Sequence, residues 1–250
     1  SLTEFLSLPE NAAEVHKTQL AQPAIFLVQM TLFEALRFYG VTPAAVTGHS
    51  VGEVAAACAA GVLTLEDAVT IAYYRSQHQS TLAGTGTMLA VGLNQEEAEE
   101  RFVSRFGQGV CTAVVNSSRL TVLSGPQETL SIIADICKKN KIFSKFLPVE
   151  LPYHNPAMEK IEAGFKKDIA AIPFSRPVYP LYSTVTASRC DDAFCHDAAY
   201  WYDNTRLPVR FSDTVEALAE DGARVFIEIA AQPVLSSSLR DVARTVTGNA

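Results

Sequence analysis

The chain has 250 residues, 48% of them apolar and 19% charged, a composition that excludes a disordered or collagen-like protein. This length suits one core, or one core with a small inserted subdomain. The net charge is −7, so nonspecific binding to nucleic acid or anionic lipid is not expected. The longest apolar run, 54–63, is about half of the ~20 residues that cross a bilayer, and the polar start is no signal peptide. We therefore expect a soluble, cytoplasmic protein.

Cysteine usage argues against disulfides and against a metal centre. The five cysteines include no C-x-x-C pair, and an odd number of scattered cysteines is typical of reduced thiols in the cytosol. Cys190, Cys195 and His196 lie close together in the sequence, but their spacing matches no common zinc pattern and a fourth ligand is not evident. We expect neither a disulfide framework nor a bound metal.

The first third of the chain alternates between helical and strand-like apolar patterns, which is typical of an α/β protein. Thr64 can cap a helix, and Asp67, three residues later, completes a capping-box-like pair. Gly40 and Gly61 follow two other helical segments and favour their ends there. The predicted elements are helix 23–39, strand 44–47, turn 48–52, helix 51–60 and helix 64–79.

Residues 87–148 follow a different order of apolar runs and amphipathic segments: strand, helix, strand, strand, helix, strand. This order predicts a ferredoxin-like βαββαβ unit, inserted between the halves of a larger α/β domain. We assign residues 1–85 and 149–250 to the large subdomain and 86–148 to the small one. After the insert, the predicted elements are helix 156–169, extended segment 177–186, helix 212–220, strand 224–230 and a helix after Pro233.

The pentad Gly48-His49-Ser50-Val51-Gly52 follows a predicted strand and precedes a predicted helix. In that context, G-x-S-x-G indicates a nucleophile elbow, which exposes the serine hydroxyl at the edge of a sheet. The helix N-terminus offers the N–H of Val51 to a developing oxyanion. The alternative is a glycine-rich turn with an ordinary serine.

A serine nucleophile needs a base, which a histidine commonly supplies. His154 is the best candidate, because it follows a strand-like segment in a loop braced by Pro152 and Pro156. His49 belongs to the turn, and His16 and His78 lie on predicted helix surfaces. An ordinary loop histidine is the alternative reading of His154.

Arg75 lies in the middle of the predicted helix 64–79, after two tyrosines and among residues expected to be mostly buried. A half-buried guanidinium needs an anion. From its position alone, either a structural salt bridge or a ligand contact satisfies that need.

Seven motifs together carry a family resemblance. The order of these motifs along the chain resembles that of the malonyl-type acyltransferases. This family comprises malonyl-CoA:acyl carrier protein transacylases and the acyltransferase domains of polyketide synthases. The resemblance extends from Ala21 to Leu239, and the closing motifs look more like the synthase domains. The motifs are GHSVGE, YRSQ, MLAVGL, VVNSSRLTVLSG, PYHNPAM, YWYDNTRLPVRF and FIEIAAQPVL.

The resemblance implies an α/β fold with a serine-hydrolase-like core, a parallel sheet and a ferredoxin-like insert. Ser50 matches the nucleophile and His154 the base. Asn204 matches the position whose backbone carbonyl orients the imidazole. Arg75 matches the arginine that binds the free carboxylate of a malonyl-type substrate, and Val51 offers an oxyanion donor.

The implied reaction is ping-pong acyl transfer in polyketide or fatty acid biosynthesis. Acyl-CoA acylates Ser50, and the phosphopantetheine thiol of an acyl carrier protein then collects the acyl group. No permanently bound cofactor is implied. The implied partners are acyl-CoA, an acyl carrier protein and other domains of a synthase, with no nucleic acid and no membrane.

Two departures from the family pattern affect the predictions. The motif that ends at the histidine reads Leu151-Pro152-Tyr153-His154 here instead of YASH or HAFH. We expect Leu151 and Tyr153 to contact the substrate, with side chains that differ from the usual ones. Val51 favours malonyl over methylmalonyl. The family also begins with a strand and a G-Q-G turn some 85 residues before the serine, whereas 49 residues precede Ser50 here. We expect that strand to be missing from this sequence and to belong beside strand 44–47.

Three further interpretations stay open at this stage. A basic run predicts docking of an acidic carrier protein, although a solvated helix end explains it equally well. An α/β-hydrolase esterase or thioesterase shares the elbow and would use Asp191 or Asp192 with His196. An inactive docking module of a synthase is the third alternative. The basic run consists of Lys138, Lys139, Lys141 and Lys145.

Overall fold

The computed structural model describes residues 4, 8, 14–107, 109–191 and 194–247. These residues form a mixed α/β structure with two separate sheets. The strands are β1 Val46–Thr47, β2 Thr87–Val91, β3 Cys111–Ser117, β4 Leu120–Gly125, β5 Ser144–Phe146, β6 Leu181–Ser183 and β7 Ser188–Arg189. The principal helices are α1 Thr18–Phe38, α2 Gly52–Ala59, α3 Leu65–Ser80, α4 Gln127–Lys139, α5 Glu162–Ile169, α6 Ala198–Arg206, α7 Phe211–Glu220 and α8 Ser236–Thr247.

The ferredoxin-like insert is confirmed. Strands β2 to β5 form one antiparallel sheet in the order β3-β4-β2-β5. The first crossover is helical at Gln95–Ala98 and Ser104–Phe106, with π-helical Glu99–Val103 between them. All four strands lie within the predicted segment 86–148, whose status as a separate subdomain stays a prediction.

The central strand β2 explains why this segment has a continuous apolar run. All five of its residues are buried, because both faces of the sheet are covered. Leu89 and Val91 join the core beneath α4, whereas Met88 and Ala90 pack towards Val215 and Val242. Strands buried on both faces lose the apolar–polar alternation of half-exposed strands.

The second sheet has three short strands in the order β1-β6-β7. β1 pairs in parallel with β6, which pairs antiparallel with β7. The small buried residues Ala57 and Ala60 bring α2 close to α1 and α3. Among the described residues, β1 has no second neighbour, and the expectation of another strand beside it falls outside them.

The predicted strand at 224–230 is wrong. The segment forms no ladder, and Val225 and Ile227 are exposed by 83% and 58%. Apolar alternation specifies a strand only where a neighbouring strand supplies hydrogen bonds. Within the described part of the chain, no strand does so.

Hydrogen bonds to the first turn fix where two of the helices begin. Thr64 caps α3 as predicted, because its Oγ1 accepts a 3.1 Å hydrogen bond from the Asp67 amide. α1 begins at Thr18, five residues before the predicted start. The reason is Glu150, whose Oε1 accepts a 2.8 Å hydrogen bond from the Thr18 amide. Among the described residues, no helix has the length and apolarity of a membrane span.

Candidate active site

The turn between β1 and α2 holds Ser50 in an unusual backbone conformation. Its φ is +55°, a region that non-glycine residues occupy infrequently and at an energetic cost. Gly48 makes this turn possible, because a Cβ there would lie 2.2 Å from the Glu53 nitrogen and from the Gly52 backbone. The geometry matches the predicted nucleophile elbow.

His154 lies against the Ser50 hydroxyl. Ser50 Oγ and His154 Nε2 are 2.8 Å apart, and His154 is only 2% exposed. On the other side of the ring, Nδ1 lies 2.9 Å from the carbonyl oxygen of Leu207. A carbonyl accepts but cannot donate, so Nδ1 carries the proton and Nε2 presents a lone pair to Ser50. The hydrogen-bond network thereby assigns the tautomer of a general base.

The prediction that Asn204 supplies the orienting carbonyl is wrong, because Leu207 supplies it. Asn204 lies within α6, where backbone carbonyls point along the helix axis. Leu207 follows the helix in an extended conformation with ψ of 158°, which turns its carbonyl towards His154. The Asn204 side chain instead donates hydrogen bonds to the Ser50 carbonyl oxygen at 3.3 Å and to Glu53 Oε2 at 2.9 Å.

The four-stranded sheet of the insert anchors the Leu207 carbonyl. Two residues after Leu207, Val209 pairs with β3. Its amide donates to the Ala113 carbonyl at 2.9 Å, and its carbonyl accepts from the Val115 amide at 2.9 Å. The insert therefore holds the segment that orients the His154 imidazole.

Arg75 reaches the nucleophile from α3. It is 1% exposed, and its Nη2 donates to Ser50 Oγ at 3.0 Å. Nη1 donates to the side-chain oxygens of Gln22 and Gln79, while Nε has no hydrogen-bond partner in the part of the chain that the structure describes. Among the described residues, no carboxylate forms a salt bridge with Arg75. The structural salt bridge considered from the sequence is therefore not formed.

The contact with Arg75 also fixes the direction of the Ser50 proton. A guanidinium has only donors, so Ser50 Oγ must accept from Arg75. The hydroxyl hydrogen is then free to point at His154 Nε2, 2.8 Å away. Arg75, Ser50 and His154 thus form one directed chain of hydrogen bonds that ends at the base.

Burial sets the protonation of both titratable partners of Ser50, His154 and Arg75. It lowers the pKa of His154 to about 3, with further lowering by the positive Arg75 and by His49. Burial also lowers the pKa of Arg75 to about 10. At neutral pH the imidazole is consequently neutral and able to accept a proton, while the guanidinium is charged.

The other predicted substrate residues occupy different environments. The Val51 amide stands at the N-terminus of α2, and no hydrogen bond to a described residue uses it; its oxyanion role stays a prediction. The Tyr153 hydroxyl lies 2.6 Å from Thr18 Oγ1 and joins the His154 loop to α1. Leu151 is fully buried in the cluster of Leu82, Met158 and Ile161, so it supports the loop from the core rather than presenting a surface.

Among the described residues, the histidine of the esterase arrangement does not lie beside Ser50. His196 is 3% exposed and lies among the rings of Phe194, Tyr200 and Trp201. Its Nε2 has no hydrogen-bond partner within residues 14–107, 109–191 and 194–247, and the imidazole beside Ser50 is that of His154. Asp192 lies outside the described residues. Among those that are described, no group of three or more His, Cys, Asp or Glu side chains could hold a metal ion.

The predicted docking lysines lie at the β5 edge of the four-stranded sheet. Lys138 and Lys139 end α4, and Lys145 lies on β5, the edge strand opposite β3. Together with Lys141, all of them are exposed. They form an accessible basic surface, and nothing in the contacts of these side chains links it to Ser50.

Four residues around the site escaped the sequence analysis. Gln22 and Gln79 hold Arg75, Leu207 orients His154, and Glu53 accepts the hydrogen bond from Asn204. Two of them lie in the family motifs: Glu53 ends GHSVGE, and Leu207 stands within YWYDNTRLPVRF.

Comparison with known proteins gives a consistent picture. The family described as the acyl transferase domain matches residues 1–249. Erythronolide synthase EryA3 of Saccharopolyspora erythraea is 40% identical over 94% of this chain, which covers 7% of that protein. A mycocerosic acid synthase-like polyketide synthase of Mycobacterium tuberculosis is 33% identical over 98% of this chain, which covers 12% of it. The chain therefore spans only a small part of these relatives.

Solved structures agree in fold. The acyltransferase domain from module 8 of the salinomycin polyketide synthase has a TM-score of 0.89 at 34% identity, with 94% of this chain and 55% of that chain covered. The malonyl CoA-acyl carrier protein transacylase of Coxiella burnetii has a TM-score of 0.85 at 27% identity, with 97% and 81% covered. With the family match over nearly all residues, these findings show that the chain belongs to the acyl transferase domain family.

Proposed function

We propose that this chain is an acyltransferase domain of a polyketide synthase that loads a malonyl-type group from CoA onto Ser50 and passes it to an acyl carrier protein. One observation carries the proposal. The Ser50 hydroxyl lies within hydrogen-bond distance of both a neutral imidazole and a charged guanidinium that no described carboxylate neutralises. Nucleophile, base and a cation for an anionic acyl group therefore meet at one oxygen atom.

The first half-reaction acylates the enzyme. His154 Nε2 takes the Ser50 proton while Oγ attacks the thioester carbonyl carbon of acyl-CoA. The resulting oxyanion lies near the Val51 amide at the helix N-terminus. Collapse of the tetrahedral intermediate breaks the carbon–sulfur bond, and the CoA sulfur leaves with the proton from His154. The product is an ester on Ser50.

The second half-reaction runs the same steps in reverse with a new thiol. The phosphopantetheine thiol of the carrier protein gives its proton to His154 and attacks the Ser50 ester. Breaking the ester bond returns the proton to Ser50 Oγ and leaves the acyl group on the carrier. All the proton transfers pass through His154, so the reaction needs no permanently bound cofactor.

Arg75 has two roles in this proposal. Its unused Nε, with the second hydrogen of Nη2, offers a fork that suits the free carboxylate of a malonyl-type group. Binding that carboxylate also offsets the positive charge that lowers the pKa of His154. A dicarboxylic substrate thus strengthens the base that acts on it, whereas an acetyl group does not.

Malonyl is the proposed acyl group. Val51 is a hydrophobic neighbour of the nucleophile, and Tyr153 is fixed by its hydrogen bond to Thr18. The Tyr153 side chain is also close enough to Arg75 for each to affect the pKa of the other. The proposed preference for malonyl over methylmalonyl therefore rests on Val51 and on a tyrosine ring that is held close to Arg75.

The direct test is loading from a panel of acyl-CoA substrates, followed by intact-protein mass spectrometry. Wild-type protein should gain the mass of one malonyl group from malonyl-CoA, and the Ser50→Ala variant should gain none. Lower loading is expected from acetyl-CoA and methylmalonyl-CoA. Failure of wild-type protein to gain mass from any acyl-CoA would favour the inactive docking module.

The carrier protein is the proposed acceptor, in the cytoplasm and alongside other synthase domains. An acidic carrier would be attracted by the exposed basic surface of Lys138, Lys139, Lys141 and Lys145. Replacing two of these lysines by glutamate should slow transfer to the carrier and weaken its salt dependence, while self-acylation from CoA stays unchanged. An unaltered transfer rate would place the docking surface elsewhere.

A further inference from the structure

Glu53 is a buried carboxylate three residues after the nucleophile. It is 2% exposed, and all of its contacts are with donors. Oε1 accepts from the Thr184 amide and from Thr184 Oγ1, the latter at 2.6 Å. Oε2 accepts from Tyr200 Oη at 2.5 Å and from Asn204 Nδ2 at 2.9 Å. Four donors thus surround the carboxylate, which suits its charged form.

Stability alone does not explain this carboxylate. Among the described residues, no Lys, Arg or His forms an ion pair with Glu53. Burial raises its pKa despite the hydrogen bonds from Thr184, Tyr200 and Asn204, which shows that desolvation is only partly offset. Well-packed apolar side chains commonly replace buried charges with no loss of stability. A buried carboxylate beside the nucleophile therefore suggests a role in the reaction.

Two of the donors also hold the elbow backbone. Asn204 Nδ2 donates to the Ser50 carbonyl oxygen at 3.3 Å as well as to Glu53. Thr184 Oγ1 lies 3.2 Å from the Gly48 carbonyl oxygen, a packing contact, because its one hydrogen is donated to Glu53. Glu53 thereby fixes two side chains that contact the elbow on either side of His49. The elbow is the place where Ser50 has its strained φ of +55°.

We propose that Glu53 is a positioning residue, which holds the Ser50 elbow in its reactive conformation through Asn204 and Thr184. This inference rests on the proposed function only in taking Ser50 as the nucleophile. Glu53 itself contacts neither the Ser50 hydroxyl nor His154. It acts by keeping Asn204 aimed at the carbonyl of Ser50 and Thr184 packed against that of Gly48, so that Oγ stays in line with the base.

The Glu53→Gln variant breaks this arrangement with little change in volume. One side of the amide becomes an NH2 group and faces donors instead of accepting from them. Either the Asn204 or the Thr184 contact must then move. Because misplacement of a reacting group by ~1 Å can cost a factor of about a hundred in rate, the reactivity of Ser50 should fall by roughly that factor.

The experiment measures the reaction of Ser50 with phenylmethylsulfonyl fluoride, which needs neither CoA nor a carboxylate on the acyl group. The Ser50 oxygen forms a bond to sulfur, fluoride leaves, and the hydroxyl proton passes through His154 to solvent. Glu53→Gln should react about a hundredfold more slowly than wild type. Thr184→Val should react more slowly as well, and Thr184→Ser, which keeps the hydroxyl, should recover the rate.

Tyr182→Phe is the matched control. It removes a hydrogen bond between a tyrosine and a carboxylate, that of Asp221, close in sequence to Thr184 but without contact to Glu53. Its sulfonylation rate should equal that of wild type. Equal slowing of Tyr182→Phe and Glu53→Gln would overturn the proposal, as would an unchanged rate in folded Glu53→Gln. If Glu53→Gln does not fold, unchanged rates in Thr184→Val and Asn204→Ala overturn it instead.

Loading kinetics separate positioning from substrate binding. For malonyl-CoA, Glu53→Gln should lower kcat with KM unchanged. The ratio of malonyl to acetyl loading is measured in Thr184→Val, which keeps the Glu53 charge that acts on Arg75, and it should stay that of wild type. A change in that ratio would contradict the proposal. Wild-type protein that reacts with the sulfonyl fluoride but takes no malonyl group would refute the proposed function, while the test of Glu53 would stand.

Discussion

Two buried charges near the nucleophile differ in how completely the protein satisfies them. Glu53 at the start of α2 accepts from four donors. Arg75 in α3 donates to Gln22, Gln79 and Ser50, yet among the described residues its Nε has no hydrogen-bond partner and no carboxylate forms a salt bridge with it. We call the Glu53 cluster closed, because donors surround both carboxylate oxygens, and the Arg75 guanidinium open, because its Nε–H has no acceptor in the part of the chain that the structure describes.

This difference separates a structural task from a binding task. A buried ionised group is costly unless it is paired and hydrogen-bonded. The protein meets most of that requirement for Glu53, which can therefore hold neighbouring groups in place. It leaves the requirement unmet for Arg75, which favours an anionic ligand. A malonyl-type carboxylate would supply the missing charge and the missing acceptors together.

The largest expected effect concerns the base that acts between these two charges. Replacing His154 by Ala should lower the rate of Ser50 acylation roughly ten-thousandfold, because His154 is the one proton acceptor that the described residues place at Ser50 Oγ. His196→Ala is the control, since that imidazole lies in an aromatic cluster and should affect stability alone. Burst kinetics with malonyl-CoA measure both rates. A larger loss in His196→Ala than in His154→Ala would restore the esterase interpretation.

Removing the open charge should give the next largest effect. Arg75→Ala should lower malonyl loading by roughly ten- to a hundredfold, since a charge-assisted pair contributes about 1.5–3 kcal/mol, while acetyl loading should change little. Arg75→Lys keeps the charge without the fork and should recover only part of the malonyl rate. Equal losses for the two acyl groups would show that Arg75 does not select for a carboxylate.

A smaller effect is expected from the side chains that aim Arg75. Gln22→Leu removes one of the two acceptors of Nη1 and should reduce malonyl loading by about fivefold, in line with one neutral hydrogen bond. Gln19→Leu is the matched control, because Gln19 also joins α1 to α3, through Ser80 at 2.9 Å, away from Arg75. The malonyl-to-acetyl ratio of each variant is the measurement. Identical ratios in the two variants would mean that Gln22 does not position Arg75.

The smallest expected effect is on pH dependence. Acylation needs neutral His154, so the rate falls as the pH drops through the pKa of that imidazole. Burial and then Arg75 lower this pKa to about 3, and Arg75→Ala should raise it while leaving the effect of burial. The acidic limb of the sulfonylation rate should consequently move to higher pH, yet stay below the ordinary value of 6.5. A shift to lower pH would contradict this electrostatic coupling.

The sequence predicted those features that depend on local pattern or on a motif. The order of strands and helices in the insert follows from its apolar periodicity. Ser50 and His154 follow from the motifs GHSVGE and PYHNPAM. The orienting carbonyl was assigned to Asn204 instead of Leu207, because a backbone carbonyl leaves no mark on residue type. Glu53 reads as an ordinary acidic residue at a helix start, and only the fold shows that four donors enclose it.

The failed strand at 224–230 has a different cause. Its alternation is typical of a strand, but pairing depends on distant residues that periodicity does not specify. The closed and open clusters share this dependence. Glu53 takes its partners from residues 184, 200 and 204, and Arg75 takes one from residue 22, so neither could be read from local sequence.

The most direct test of the open guanidinium is a crystal structure of the protein after reaction with malonyl-CoA. The predicted result is a malonyl ester on Ser50 Oγ whose free carboxylate contacts Nε and Nη2 of Arg75 within ~3 Å, with Nη1 still held by Gln22 and Gln79. An ester on Ser50 whose carboxylate lies in solvent, with Arg75 Nε still unpartnered, would contradict the account.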